Sequence, residues 1–396
     1  MYKEINIMDV VHKNNIRITG RSGISHRATC PLCGGKSTLS ITPSMGLFQC
    51  FLCGAGGNAF KLDSILNPTE YGEGDYKKFA QNMESWVNGT PRREEKDIEV
   101  FEETPRASDE QCSKVYSAMI KLLSLKKEHK EDLLRRGLSE ADIKAYCFRT
   151  APNYNERYSI PRKLVEKGYN LEGVPGFFKD GGKWCVKSPK GYLCPVFDGE
   201  KNLLIGFQTR LDKPIDGNKY IWFSSIGKEA GTSSGILSSI LPGEYDKTAL
   251  VVEGTLKGLI TYLLLGKKVT VITVPGVNSI SCLNYALEQF EGKLIFECYD
   301  MDKYTTFDPE KAQTDEEKKL VKKSRDVMKG VVKLEEKCNE FDITTHHMKW
   351  NFSNGLWNGE GKGIDDFLLT YAEPTKMADY IIKESEKFLK MKAILH

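Results

Sequence analysis

The chain has 396 residues, too many for one compact core, so two or three domains are expected. Apolar residues make up 40% and charged residues 28%, which excludes a fibrous or disordered polymer. A formal net charge of +3 excludes a global field for nucleic acid, so any such surface must be a local cluster of Lys and Arg.

At the N-terminus, MYKEINIMDVVHKNN lacks the basic-then-apolar layout of a secretion signal, and no run of 18 apolar residues occurs anywhere. A cytoplasmic protein without membrane contact is expected. Cys30, Cys33, Cys50 and Cys53 follow as C-x2-C, sixteen residues, C-x2-C. Each pair sets two thiolates on one tight turn, and together they complete a tetrahedron around structural Zn²⁺. Ser37 to Thr42 alternates as a strand, Pro43 to Gly46 turns and Leu47 to Gln49 returns, which makes a zinc ribbon within a domain spanning residues 1–87. A short helix is expected from Tyr76 to Val87. Phe48 and Phe51, with Arg27 and Lys36, either offer a stacking and phosphate-contacting face to single-stranded nucleic acid or fill the mini-core. His26 reads as a surface side chain. The seven other cysteines are scattered singly and read as small hydrophobes.

Residues 88–110, dense in Pro, Arg, Glu and Asp, read as a linker. A second region, 111–246, opens with helical spacing from Cys112 to Tyr146, interrupted by Gly137 and a new N-cap at Ser139. Between Asn153 and Tyr245 short alternating runs separated by Asp-Gly and Gly-Gly suggest antiparallel hairpins. From Lys247 the rhythm becomes strand, turn, helix: Ala249 to Glu253, Leu256 to Leu265, Val269 to Val274, Leu283 to Phe290, Leu294 to Tyr299. That is the pattern of a parallel sheet over 247–370, followed by a C-terminal helix or tail, 371–396. The fold class is therefore multidomain, mixed α+β and α/β.

Glu253 ends one parallel strand and Asp300 and Asp302 end another, so all three carboxylates should meet at the carboxyl edge of the sheet. Alternate residues of an extended chain point the same way, which puts Asp300 and Asp302 on one side. Clustered acids repel unless cations sit between them, and hard oxygen ligands suit Mg²⁺ or Mn²⁺ bridging to phosphate. Asp365 and Asp366 are either a further acidic point or an ordinary acidic helix start.

Ala249-Leu-Val-Val-Glu-Gly254 followed by Phe296-Glu-Cys-Tyr-Asp-Met-Asp302 resembles the TOPRIM domain of bacterial primases, topoisomerases and some nucleases. Cys30-Pro-Leu-Cys33 with Cys50-Phe-Leu-Cys53-Gly54 is similar to the CHC2-like zinc domain of DnaG-type primases, with Cys33 where that family usually has histidine. Ile205-Gly-Phe-Gln-Thr-Arg210 and Asn218-Lys-Tyr-Ile-Trp-Phe-Ser-Ser225 look like the stretch Gly-Phe-x-x-Arg, Lys-Tyr-x-x-Ser of the primase polymerase core. The resemblance implies an N-terminal zinc ribbon, a mixed α+β polymerase-core subdomain and a Rossmann-like TOPRIM domain. It further implies an enzyme making short RNA primers on a single-stranded DNA template from nucleoside triphosphates. Glu253, Asp300 and Asp302 would hold Mg²⁺ or Mn²⁺, with Asp365 or Asp366 as the later acidic motif. Arg210, Lys219 and Tyr220 would meet nucleotide or nucleic acid.

Three departures stand out. The family phrase Glu-Gly-x-x-Asp is here Glu253-Gly-Thr-Leu-Lys257, and Lys257 either folds back on phosphate or lies along its helix. Lys303 to Glu316 reads as an inserted, mobile loop over the site. Only about 30 residues follow Asp366, so a helicase-docking domain is expected to be lacking, as in a primase of a phage, plasmid or other mobile element that recruits its helicase by another contact. The rival readings are a TOPRIM nuclease and a catalytically degenerate module that only binds single-stranded DNA.

Overall fold

A computed structural model describes residues 5–22, 25–71, 75–89, 101–215 and 218–395. The N-terminal module is a five-stranded antiparallel sheet in chain order, from Ile18–Ser22 to Gly56–Asn58. The helices Ile7–Lys13, Ala59–Leu66 and Tyr76–Gly89 pack with it. Its strand Leu47–Cys50 alternates outward and inward, so Phe48 and Cys50 face the mini-core while Leu47 and Gln49 face water.

Of the expected linker 88–110, residues 90–100 lie outside the described residues. From 101 onward the chain is docked, which corrects that boundary. Thr104 N–H donates to Gly231 O (3.0 Å) and Ala107 N–H to Gly173 O (2.7 Å). Arg106 Nη2 reaches Ile205 O at 2.9 Å. Ser108 then caps the helix Asp109–Ile120. Gly137 and Ser139 act as expected: Gly137 adopts φ +91°, and Ser139 and Asp142 form a capping box on Glu140–Ala145. The helix Glu156–Glu166, with Pro161 in its interior, lies in the stretch where the sequence suggested hairpins and corrects that part of the reading.

The hairpins and the parallel strands are one continuous sheet of nine strands. The order is Asn218–Trp222, Leu203–Ile215, Gly191–Asp198, Ile240–Leu241, Val269–Val274, Tyr245–Glu253, Leu294–Cys298, Thr344–His347, with Arg149–Thr150 added beside Gly191–Asp198. The two-residue strand Ile240–Leu241 splices the halves: it runs parallel to Gly191–Asp198 and antiparallel to Val269–Val274. Ser239 clamps both neighbours. Its N–H donates to Thr273 Oγ1 (2.9 Å), and its Oγ accepts from Phe197 N–H (3.0 Å).

In the parallel half both faces are apolar, as a sheet covered on both sides requires. Leu250 and Val252 join the layer formed by helices Thr255–Leu264 and Ile364–Thr370. Ala249 and Val251 join the opposite layer, with Leu283, Leu287, Val331 and Leu334. Gly258 allows the first layer to approach closely, since a Cβ there would stand 2.2 Å from Thr273 Cγ2. The chain leaves Tyr245–Glu253 toward Val269–Val274, then returns to Leu294–Cys298 on the other side. The crevice outside the carboxyl ends of Tyr245–Glu253 and Leu294–Cys298 is therefore a topological switch point, where open α/β sheets bind ligands.

Candidate active site and zinc ribbon

The four cysteines have ligand atoms all within 4.8 Å of one another, with Sγ separations of 3.9 Å for Cys30 and Cys53 and 3.8 Å for Cys33 and Cys50. Burial pushes the Cys50 thiol up, but Thr38 and the backbone N–H groups of Cys53 and Leu52 outweigh it and hold it at about 6. Cys30 goes the other way, pushed up to about 12 by burial, so the fit to Zn²⁺ rests on the four sulfurs gathered from two tight turns into one ligand sphere. Phe48 is 3% exposed and belongs to the mini-core, which removes it from any stacking face. Phe51 is 64% exposed, with the Arg27 guanidinium 4.8 Å from its ring centre.

At the switch point Glu253 is the last residue of its strand. Its partner strand ends at Cys298, so Asp300 lies just beyond. Asp300 and Asp302 are not brought together by strand alternation as the sequence suggested. Residues Met301–Lys303 form a 3₁₀ turn, with Met301 buried and its N–H donating to Lys362 O at 2.8 Å. The two carboxylates converge on lysines. Lys257 Nζ lies 2.5 Å from Asp300 Oδ1, and Lys362 Nζ lies 2.9 Å from both Asp300 Oδ2 and Asp302 Oδ2. Lys323, from the helix Asp315–Glu340, adds a third ammonium 2.7 Å from Asp302 Oδ2. Lys257 thus neither points to open solvent nor lies idle along its helix.

Burial raises Asp300, but Lys257 and Lys362 outweigh it and hold the carboxyl below its ordinary range. Glu253 is pushed up by burial and by the neighbouring charge of Asp300. The Asp365–Asp366 pair divides. Asp366 is exposed, and its Oδ2 accepts from Gly363 N–H at 3.4 Å, as an acid at an ordinary helix start does. Asp365 is 3% exposed, and its Oδ1 has no hydrogen-bond partner. A Cβ built on Gly363 would lie 2.3 Å from that oxygen and 3.6 Å from Asp300 Oδ1, so both carboxylates border one space. That oxygen is left without a partner, while the acids beside it are drawn to lysines; among the described residues the side chains gathered closely enough to hold a metal ion are the four cysteines.

Burial, aided by the neighbouring Asp366, pushes the Asp365 carboxyl up to about 6, against 3.8 for a free aspartate. Between those values the folded protein keeps a proton that the unfolded chain gives up, so stability falls as pH rises from about 4 to about 6. Asp365→Asn without added divalent ions should therefore raise stability at pH 7.5 by about 2–3 kcal/mol and change it little at pH 4. Chemical unfolding at the two pH values checks this.

Sequence reasoning missed what lies beneath the turn. Glu297, fully buried in its strand, accepts from Lys303 Nζ (2.8 and 2.7 Å), from Tyr299 N–H (2.6 Å) and pairs with His347 Nδ1 (3.1 Å). Lys303 is itself 2% exposed, and Ser324 Oγ donates to its carbonyl at 2.7 Å. The stretch from Lys303 to Glu316 is thus no free loop: it is pinned at its start and ends in the Thr314–Glu317 capping box. Lys303→Met strands a buried carboxylate and should cost about 3–5 kcal/mol, read as a fall in the denaturation midpoint.

Arg210, Lys219 and Tyr220 lie elsewhere. Four strand spacings, roughly 19 Å, separate the strand of Arg210 from that of Glu253. Asp132 holds Arg210 by its Nε (3.2 Å), together with Arg136 (3.1 Å) and Tyr192 (2.8 Å), while Arg210 Nη1 donates to Tyr220 Oη (3.1 Å). Lys219 is exposed. Asp132 and Arg136, distant in sequence, carried no motif to betray them.

Residues 1–91 match the family model described as CHC2 zinc finger. The chain is 25% identical over 232 residues to a DNA primase of Listeria monocytogenes, covering 55% of this chain and 36% of that protein. It is 26% identical over 173 residues to a DNA primase of Thermotoga maritima, covering 43% and 28%. In sequence the chain is similar to these DNA primases. It spans about a third of the length of these primases. Among solved primase structures, the zinc-binding and RNA polymerase domains of the Aquifex aeolicus primase align with a TM-score of 0.48 at 18% identity, covering 98% of this chain and 84% of that one. The RNA polymerase domain of Mycobacterium tuberculosis primase DnaG, in complex with an overhanging DNA duplex, aligns at 0.38 and 14% identity, covering 60% and 84%. Among the described residues, no helix is long and apolar enough to cross a membrane.

Proposed function

We propose that this chain is a DNA primase that joins ribonucleotides on a single-stranded DNA template, with Glu253, Asp300 and Asp302 as its catalytic acids. The observation that carries this reading is the meeting of Asp300, Asp302 and the buried Asp365, whose Oδ1 has no partner, at the switch point of the sheet, in a chain that opens with a four-cysteine ribbon. A divalent ion held by Glu253, Asp300 and Asp302 would neutralise the phosphates and stabilise the departing pyrophosphate. Lys362 and Lys323, both substantially exposed, would release the acids and turn to the triphosphate. Arg210, kept rigid by Asp132 and Tyr220, and exposed Lys219 would grip the nucleic-acid backbone. Phe51, flattened under Arg27, would stack on a template base.

The lysines resting on Asp300 and Asp302 favour a second reading, a module that binds single-stranded DNA without synthesis. Incubation with template, labelled ribonucleotides and Mg²⁺ separates the two. Short new oligomers support the primase, binding without product supports the module, and cleaved template would overturn both in favour of a nuclease.

A further inference from the structure

The hairpin of strands Phe177–Asp180 and Lys183–Val186 borders a cavity of about 600 Å³ that shares no lining residue with the switch point or the zinc ribbon. Main-chain hydrogen bonds build it. Lys187 N–H donates to Gly176 O at 2.8 Å, and Lys179 N–H donates to Glu229 O at 2.7 Å, which ties the turn carrying Lys228 to the hairpin. Four cations line the cavity, Arg157, Lys179, Lys187 and Lys228, against two acids, Asp180 and Glu229. Asp180 is already engaged, since its Oδ2 accepts from Arg157 Nη2 and from Tyr158 Oη, both at 2.5 Å. Lys228 Nζ stands 5.9 Å from the centre of the Phe178 ring. Lys187 is half-buried; burial and the neighbouring Lys228 hold its ammonium below the ordinary range, and among the described residues no acid offsets them. Two ammonium groups near each other in a half-enclosed space, one of them without a counter-ion, mark a place for an anion.

We infer that this cavity is a second ligand site, one that binds a free nucleotide by its phosphates, with Lys187 and Lys228 as the anion-binding pair. Phe101, Phe178 and Val186 give the same cavity an apolar wall. A bare phosphate would leave that wall and most of the volume empty, whereas cavities of this size take ligands with an apolar body and a few placed polar groups. A nucleotide joins a flat base to an anionic tail. A nucleic-acid strand calls instead for a groove with cations spaced along it, and here the cations are grouped around one space. The inference does not depend on the proposed role of the acids at the switch point.

The test is calorimetric titration of the full chain, its zinc content verified, with ADP and separately with a single-stranded oligothymidylate, without added divalent ions. The parent should bind ADP, and Lys187→Met, which keeps the bulk, should weaken that binding about tenfold or more. Lys228→Met should weaken it by a smaller factor, and Lys144→Met, at an exposed position outside the cavity, should leave it unchanged. ADP should raise the midpoint of thermal unfolding of the parent and not that of Lys187→Met. Without ligand, Lys187→Met should be no less stable than the parent, because burial already disfavours the charge it removes. No ADP binding by the parent, equal ADP affinity in the parent and Lys187→Met, a Lys187→Met protein less stable than the parent, or an oligothymidylate that alone loses affinity in that variant would each overturn the inference. Because no synthesis is measured, the primase reading stands or falls by its own assay.

Discussion

Asp300→Asn should lower primer synthesis by about 10²–10³-fold while leaving affinity for single-stranded template within about twofold. Asp300 is the one carboxylate that touches both Lys257 and Lys362 and also borders the space of Asp365. On the proposed reading, loss of its charge would remove a metal ligand worth several kcal/mol of charge stabilisation, and each 1.36 kcal/mol is tenfold in rate. Template contacts should survive, because the strand of Arg210 lies four strand spacings away. Incorporation of labelled ribonucleotides and fluorescence anisotropy of a labelled template read the two effects separately. Near-normal synthesis by a double Asp300→Asn, Asp302→Asn protein would discard the site assignment.

Cys50→Ser should release zinc and unfold the N-terminal module while the nine-stranded sheet stays folded. Cys50 is wholly buried at the centre of the thiol cluster, and it accepts from the N–H groups of Leu52 (3.4 Å) and Cys53 (3.5 Å). The mini-core around it is small, so metal binding and folding are one free energy, on the order of 10 kcal/mol for structural zinc. Zinc content by atomic emission should fall to zero. Proteolysis should then clip residues 1–89 and spare the remainder.

What the sequence disclosed and what it hid follow from range. The four cysteines were legible because two short turns and one hairpin set their geometry locally. The acids at positions 253, 300 and 302 were legible as a place, since each follows a run of β-branched and apolar residues. Their company was not. Lys323 comes from a helix whose charged face looks like any solvated surface, and the Glu297–Lys303 pair is hidden because nothing in the spacing of two more charges beside Asp300 and Asp302 says that they turn inward. Phe48 and Phe51 differ by three positions, and the alternation through Leu47–Cys50 was the available signal that the first points inward. The helix Glu156–Glu166 was not legible, since the interior Pro161 weakens its helical signal and turn residues flank it.

The splice at Ile240–Leu241 bears on how this molecule would handle a growing chain. Through that two-residue seam, latched by Ser239 to Phe197 and Thr273, the Arg210 end and the acidic end are parts of one beam. If the proposed roles of the two ends hold, a polymer would have to slide between two stations whose spacing the sheet sets, with each step governed by the substrate and not by a hinge at that seam.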